Sequence, residues 1–229
     1  MADIEEMMRA AGIAGTDGSY VDPETFRSGF VTLVGRPNAG KSTLVNAVMG
    51  EKVAITSDTP QTTRHRFRAV YDRDDMQMVL VDTPGLHKPY DALGEELNDS
   101  ALKALDDVDV VAMLIDCSQP VGAGDRWVAE QLAQRSCRKL LVISKADLGR
   151  DGEAAAQLEH ARALAEWDDC IVLSALEDFN VAGFIEAVYA LLPCGPRWFP
   201  QGTGVDQPLE VIVAEFIREK VLRTTYDEV

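Results

Sequence analysis

The chain has 229 residues, 46% of them hydrophobic, which suffices for one good core and part of a second unit but not for several domains. Its 22 Lys and Arg face 38 Asp and Glu, a formal charge of -16, and such a balance repels phosphate backbones, so any nucleic-acid partner must be met through a local basic patch. Four cysteines without a Cys-x-x-Cys pair and three scattered histidines exclude a zinc site and a disulfide framework; with an acidic N-terminus and no long apolar run, a cytoplasmic protein is expected.

Residues 1–28 carry no strong period and contain the turn-rich stretch "GTDGSYVDPE", so they read as a leader with room for a short helix near Met7. Strand-type runs then follow at 30–35, 66–72, 76–82, 108–116, 139–144 and 170–175. Helical patterns alternate with them at 41–49 (closed by Gly50), 94–107, 124–135, 153–167 and 180–192 (closed by Pro193). Several strands are apolar at nearly every position, as strands covered on both faces must be. The expected fold is therefore α/β: three layers, a mostly parallel six-stranded sheet and helices on both faces. The short "YDRDD" turn leaves no room for a crossover, so one strand is expected to pair antiparallel.

After this domain, "PCGPRWFPQGTGVDQP" holds four prolines in sixteen residues and reads as a linker over 193–207. Residues 208–229 then place Val213, Phe216, Ile217 and Val221 at helical spacing, the pattern of a helix opening a second domain.

The chemistry lies at strand ends. Gly35-Arg36-Pro37-Asn38-Ala39-Gly40-Lys41-Ser42 fits G-x-x-x-x-G-K-[ST] between a strand and a helix. Glycines let backbone N–H groups turn inward around phosphate oxygens, the helix N-terminus favours negative charge, Lys41 adds a mobile cation and Ser42 is a ligand for Mg²⁺. This loop holds a nucleoside triphosphate without saying which. Asp82-Thr83-Pro84-Gly85 follows "MVLV": alone a turn, it becomes, with the upstream loop, a carboxylate for the Mg²⁺ shell and a Gly85 N–H for the γ-phosphate. Ser144-Lys145-Ala146-Asp147 ends another apolar strand. The Asp147 carboxylate can accept from guanine N1–H and the exocyclic amine, a donor pair adenine lacks, while the Lys145 stem can lie along the base. Ser174-Ala175-Leu176 closes a further strand and offers a backbone N–H near the base oxygen. Arg64, His65, Arg66 and Arg68 form a basic cluster, read either as a solvated strand face or as a contact surface.

Together with "VAITSDTPQTTRHR", "VDTPGLHKP", "SKAD", "SAL" and "VAEFIREKVLR", the loop "GRPNAGKSTLVNAVMG" resembles the translation-factor class of GTPases and, within it, the Era family, which assists maturation of the small ribosomal subunit. The resemblance runs from about residue 29 to the end. It implies a GTPase domain over 29–192, and phosphate contacts from Gly35, Asn38, Ala39, Gly40, Lys41, Ser42 and Thr43. Mg²⁺ is expected at Ser42, Asp82 and either Thr62 or Thr63. A base pocket is implied at Ser144, Lys145, Asp147, Ser174, Ala175 and Leu176, with Lys41, Asn38, Thr63 and Gly85 acting on the reaction. Ser144 stands where the family usually has asparagine or threonine. Leu86 occupies the place of the water-orienting glutamine of Ras-like enzymes, and in some relatives an asparagine like Asn38 helps hold K⁺. Era proteins also end in a KH-type domain with a Gly-x-x-Gly loop that clamps single-stranded RNA. That tetrad does not follow the linker here, so only weak binding of ribosomal RNA is expected. The resemblance allows a peripheral membrane contact; a monomer is expected. The alternative to a GTP hydrolase is a GTP-dependent docking module with negligible hydrolysis.

Overall fold

In the computed structural model, the residues described are 21–56, 67–82, 102, 105–150, 152–207 and 209–224. The chain runs β1 (Arg27–Val34), α1 (Lys41–Met49), β2 (Phe67–Arg73), β3 (Met76–Asp82), β4 (Val110–Asp116), α2 (Ala123–Ala133), β5 (Arg138–Ser144), α3 (Glu153–Arg162), β6 (Asp169–Val172), α4 (Val181–Leu191) and α5 (Leu209–Thr224). The six strands form one sheet in the order β2-β3-β1-β4-β5-β6. Every pairing is parallel except β2 with β3, the pair joined by the tight Asp74-Asp75 turn.

Side chains alternate across β4 and sort into two cores. Val110, Ala112 and Leu114 join Leu44, Val48, Phe184 and Val188 of α1 and α4. Val111, Met113 and Ile115 join Val128, Leu132 and Ala161 of α2 and α3. Both faces of the central strands are thus covered, which is why these strands read as continuous apolar runs. The three-layer architecture expected from the sequence is the one observed.

Boundaries differ in places for identifiable reasons. Residues 21–28, read from the sequence as the end of a leader, belong to the folded body. Val21 and Phe26 are buried, and a turn is closed by Phe26 N–H on Asp22 O at 2.8 Å. β1 begins at Arg27 rather than Phe30, because Arg27 already pairs with Met76. α3 stops at Arg162 rather than 167; Ala161 O accepts from Leu164 N–H at 3.1 Å, a tighter closing turn, and from the Trp167 indole N–H at 3.3 Å. The helix expected over 94–107 lies outside the described residues except at its end, where Leu105–Asp107 forms a 3-10 turn. The short helix near Met7 lies wholly outside them.

The proline-rich stretch 193–207 is fastened to the sheet. Arg197 Nη1 donates to both Asp72 oxygens at 2.6 and 2.7 Å, with both side chains under 10% exposed. The buried Gln77 accepts from Trp198 N–H and Phe199 N–H at 2.8 and 2.9 Å and donates to Phe199 O at 2.9 Å. Beyond it, Val70 N–H donates to Gly204 O and Asp206 N–H to Arg68 O, so the segment covers the free edge of β2. α5 leaves from this strap; Val213 and Ile217 are exposed, while Phe216 lies beneath the Lys52 ammonium. Among the described residues no helix is long and apolar enough to cross a membrane, and no cluster of His, Cys, Asp or Glu is suited to hold a metal ion.

Candidate nucleotide site

The strand register brings the candidate residues to one end of the sheet. Leu33 of β1 is opposite Asp82 of β3, and Asp116 of β4 is opposite Ser144 of β5. The loops leaving β1, β3, β4, β5 and β6 therefore emerge together at the carboxyl edge, where ligands of open α/β sheets sit.

The loop between β1 and α1 is shaped by its glycines. Gly35 has φ 145, and a Cβ there would stand 2.4 Å from Leu114 O, so both conformation and space demand glycine. Gly40, at φ 91, caps α1 and carries the chain into the helix, whose first closing bond is Leu44 N–H to Gly40 O at 2.9 Å. Asn38 is also left-handed, at φ 62, and exposed. Lys41 is nearly buried, its Nζ 3.2 Å from Gly35 O and 3.0 Å from Arg36 O, so the ammonium is folded into the concavity of its own loop. Ser42 and Thr43 follow in the first turn of α1, half-buried, where the free N–H groups and the positive end of the helix dipole lie.

The other side of the site is assembled by side chains from three strands. Ser144 is buried, and its Oγ donates to Ala39 O at 2.7 Å and also lies 3.2 Å from Ile115 O. Ser144 thus ties the end of β5 to the β1–α1 loop. Lys145 is left-handed, at φ 56, and its Nζ meets Asp116 Oδ2 at 2.7 Å. Burial works to raise the Asp116 pKa, but hydrogen bonds from Lys145 and Ser118 outweigh it and hold the carboxyl below its ordinary value. Asp147 is exposed and accepts from the buried Ser174 hydroxyl at 2.5 Å, which restrains the carboxylate. Ala175 and Leu176 follow in a turn closed by two backbone bonds between Ser174 and Phe179; Leu176 is 74% exposed.

Asp82 ends β3 at the edge of the phosphate loop. Thr62, Thr63 and Gly85 lie outside the described residues, as do Arg64, His65, Arg66 and Leu86. Arg68, the described member of the basic cluster, is exposed on β2 and paired with Asp206 of the strap at 3.2 Å. Sequence reasoning missed Asp116, although its signal was present: an acidic residue ending the apolar run "VVAMLI", the same placement that singled out Asp82.

A phosphate loop opening a helix, with a Lys-x-Asp segment two strands away at the same sheet edge, defines the class of P-loop GTPases. The family described as 50S ribosome-binding GTPase matches residues 30–145. The chain is 46% identical to GTPase Era of Mycobacterium avium (strain 104) over 206 residues, covering 89% of this chain and 69% of that protein. It is 42% identical to GTPase Era of Clostridium beijerinckii over 204 residues, covering 89% and 68%. Among solved structures, Era in complex with MgGDPNP and nucleotides 1506–1542 of 16S ribosomal RNA superimposes with a TM-score of 0.84 at 30% identity, over 89% of this chain and 70% of that one. An Aquifex aeolicus Era variant bound to GDP·AlF4⁻ gives 0.80 at 30% identity, with the same coverage. The chain belongs to the Era family of GTPases. Hydrolase relatives of this similarity favour the enzyme over the docking module.

Proposed function

We propose that the chain binds and hydrolyses GTP at the carboxyl edge of its sheet and uses the two nucleotide states in assembly of the small ribosomal subunit and maturation of its RNA. The observation that carries this reading is the meeting of the β1–α1 loop, the end of β3 and the Lys145–Asp147 segment at one edge. The partner class follows the Era relative solved with a 16S ribosomal RNA fragment.

In this reading the N–H groups of the loop and of the first turn of α1 receive the β- and γ-phosphates, and Lys41 turns from its own carbonyls to the phosphate oxygens. Asp147 accepts from the guanine edge, and the Ala175 N–H faces the base oxygen. Ser42, in the first turn of α1, and Asp82, at the end of β3, are hard oxygen donors, which suits Mg²⁺; Thr62 or Thr63 supplies a further oxygen and Gly85 an N–H to the γ-phosphate. Bound Mg²⁺ neutralises charge on the phosphate oxygens. With Leu86 unable to orient water, Asn38, on the exposed rim of the loop, would hold K⁺, which would supply the positive charge that an arginine finger gives elsewhere. The protein acts in the cytoplasm as a monomer, with peripheral contact at the inner face of the membrane. Residues 208–229 open a KH-type domain.

GDP is expected to raise the melting temperature and ADP to leave it unchanged; equal shifts would remove the guanine assignment. An arginine finger is worth roughly 10³ to 10⁵ in rate, and a less directional ion is expected to give about tenfold or more in KCl over NaCl. Equal steady-state rates in the two salts would remove potassium from the reading.

A further inference from the structure

We infer that Asp116 is a positioning residue of the guanine pocket: its carboxylate pins the Lys145 ammonium so that the lysine stem lies across the phosphate loop before nucleotide arrives. This rests on the assignment of Lys145 and Asp147 to the base pocket.

Three independent features of the geometry converge on it. Lys145 occupies the left-handed region at φ 56, a conformation that residues with a side chain rarely adopt. The resulting turn sends the side chain away from β6 and over the β1–α1 loop, where Cε lies 4.0 Å from the position a Cβ on Gly40 would take. At the end of that path stands Asp116, whose side chain is 12% exposed and whose Oδ2 is 2.7 Å from Nζ. The other oxygen is fully employed, since Oδ1 accepts from Ser118 N–H at 2.9 Å and Ser118 Oγ at 2.6 Å. The carboxylate is thus locked in rotation, with one oxygen held by its own loop and one presented to the lysine.

The pair is not needed to hold the strands. β4 and β5 are already in register up to Asp116 and Ser144, and Cys117 N–H continues the ladder to Ser144 O at 2.9 Å. What the pair fixes is a four-carbon stem. Left free, that stem would lose its rotamer freedom when nucleotide binds; held beforehand, it presents a fixed apolar strip to the flat face of a base or sugar at smaller entropic cost.

An amide cannot replace this carboxylate. Both oxygens of Asp116 receive donors, so Asp116→Asn must set its NH2 group against either Ser118 or the lysine. We expect Asp116→Asn to weaken GDP binding about tenfold, read by displacement of a fluorescent GDP analogue in Mg²⁺, with the loss in KM for GTP rather than in kcat. In a Lys145→Met background the same change should have no further effect. Unchanged GDP affinity in Asp116→Asn, losses that multiply in the double variant, or a loss confined to kcat would each overturn the proposal. If Asp116→Asn melts at the assay temperature, Ser118→Ala takes its place. It removes one donor to Oδ1 and leaves the ion pair intact; about threefold weaker GDP binding, absent in the Lys145→Met background, is expected, and no change would overturn the proposal. Asp147→Asn separates the two levels. If it too leaves GDP affinity unchanged, the base pocket itself is misplaced; if it weakens GDP while the Asp116 and Ser118 variants do not, the clamp alone fails.

Discussion

The two halves of the nucleotide site are built by different means. The phosphate side is a local structure: Gly35, Asn38, Gly40 and Lys41 fall within seven consecutive residues, and Lys41 is held by carbonyls only five and six positions away. The proposed guanine side has no local frame of its own. Ser144 is tied to Ala39 across 105 positions, Lys145 to Asp116 across 29 and Asp147 to Ser174 across 27. Short-range backbone geometry forms one half wherever a strand meets a helix, whereas the other half exists only once β4, β5 and β6 are side by side. Damage to the first should therefore be chemical and severe, and damage to the second graded and transmitted through neighbours.

The largest expected effect tests the local half. Lys41→Ala removes a cation from a concavity made by its own loop while leaving the glycine geometry, so the fold should persist and kcat/KM for GTP should fall by about 10² to 10³. Near-normal turnover would mean that the helix N-terminus and metal suffice without it.

Asp147→Asn tests the long-range half where it touches the base. Charge-assisted hydrogen bonds are each worth about 1.5 to 3 kcal/mol, so GDP affinity should drop at least about tenfold while xanthine nucleotides bind better. Retention of GDP affinity in a competition assay would sink the contrast, because the pocket would then owe nothing to β5.

The smallest effect is expected where the two halves touch. Ser144→Ala removes the hydroxyl that joins the guanine segment to Ala39 O, a neutral hydrogen bond worth about 1 kcal/mol. GDP binding should weaken about fivefold or less, and the melting temperature should fall by about 2 to 4 °C. A loss as large as that of Asp147→Asn would show that the halves are one cooperative unit and not two.

The strap on the hairpin edge shows the same division at the level of the fold. Four prolines over 193–208 announced an irregular segment, and the segment is irregular. Its attachment was not visible in advance. Arg197 finds Asp72 125 positions away, and Gln77, an ordinary polar residue on a strand, is buried because the backbone of Trp198 and Phe199 takes both ends of its amide.

The sequence by itself determined the alternation of strands and helices, the antiparallel hairpin, the two-sided burial of the central strands and the identity of the phosphate loop. These follow from period, turn length and glycine placement, which act over a few residues. Tertiary structure alone decided that β1 begins at Arg27, where its backbone meets Met76 of β3, that Ser174 holds Asp147, and that Asp116 holds Lys145. Each of these joins groups 27 or more positions apart in the chain. Which distant groups meet is fixed by strand order and register, and no local pattern encodes that.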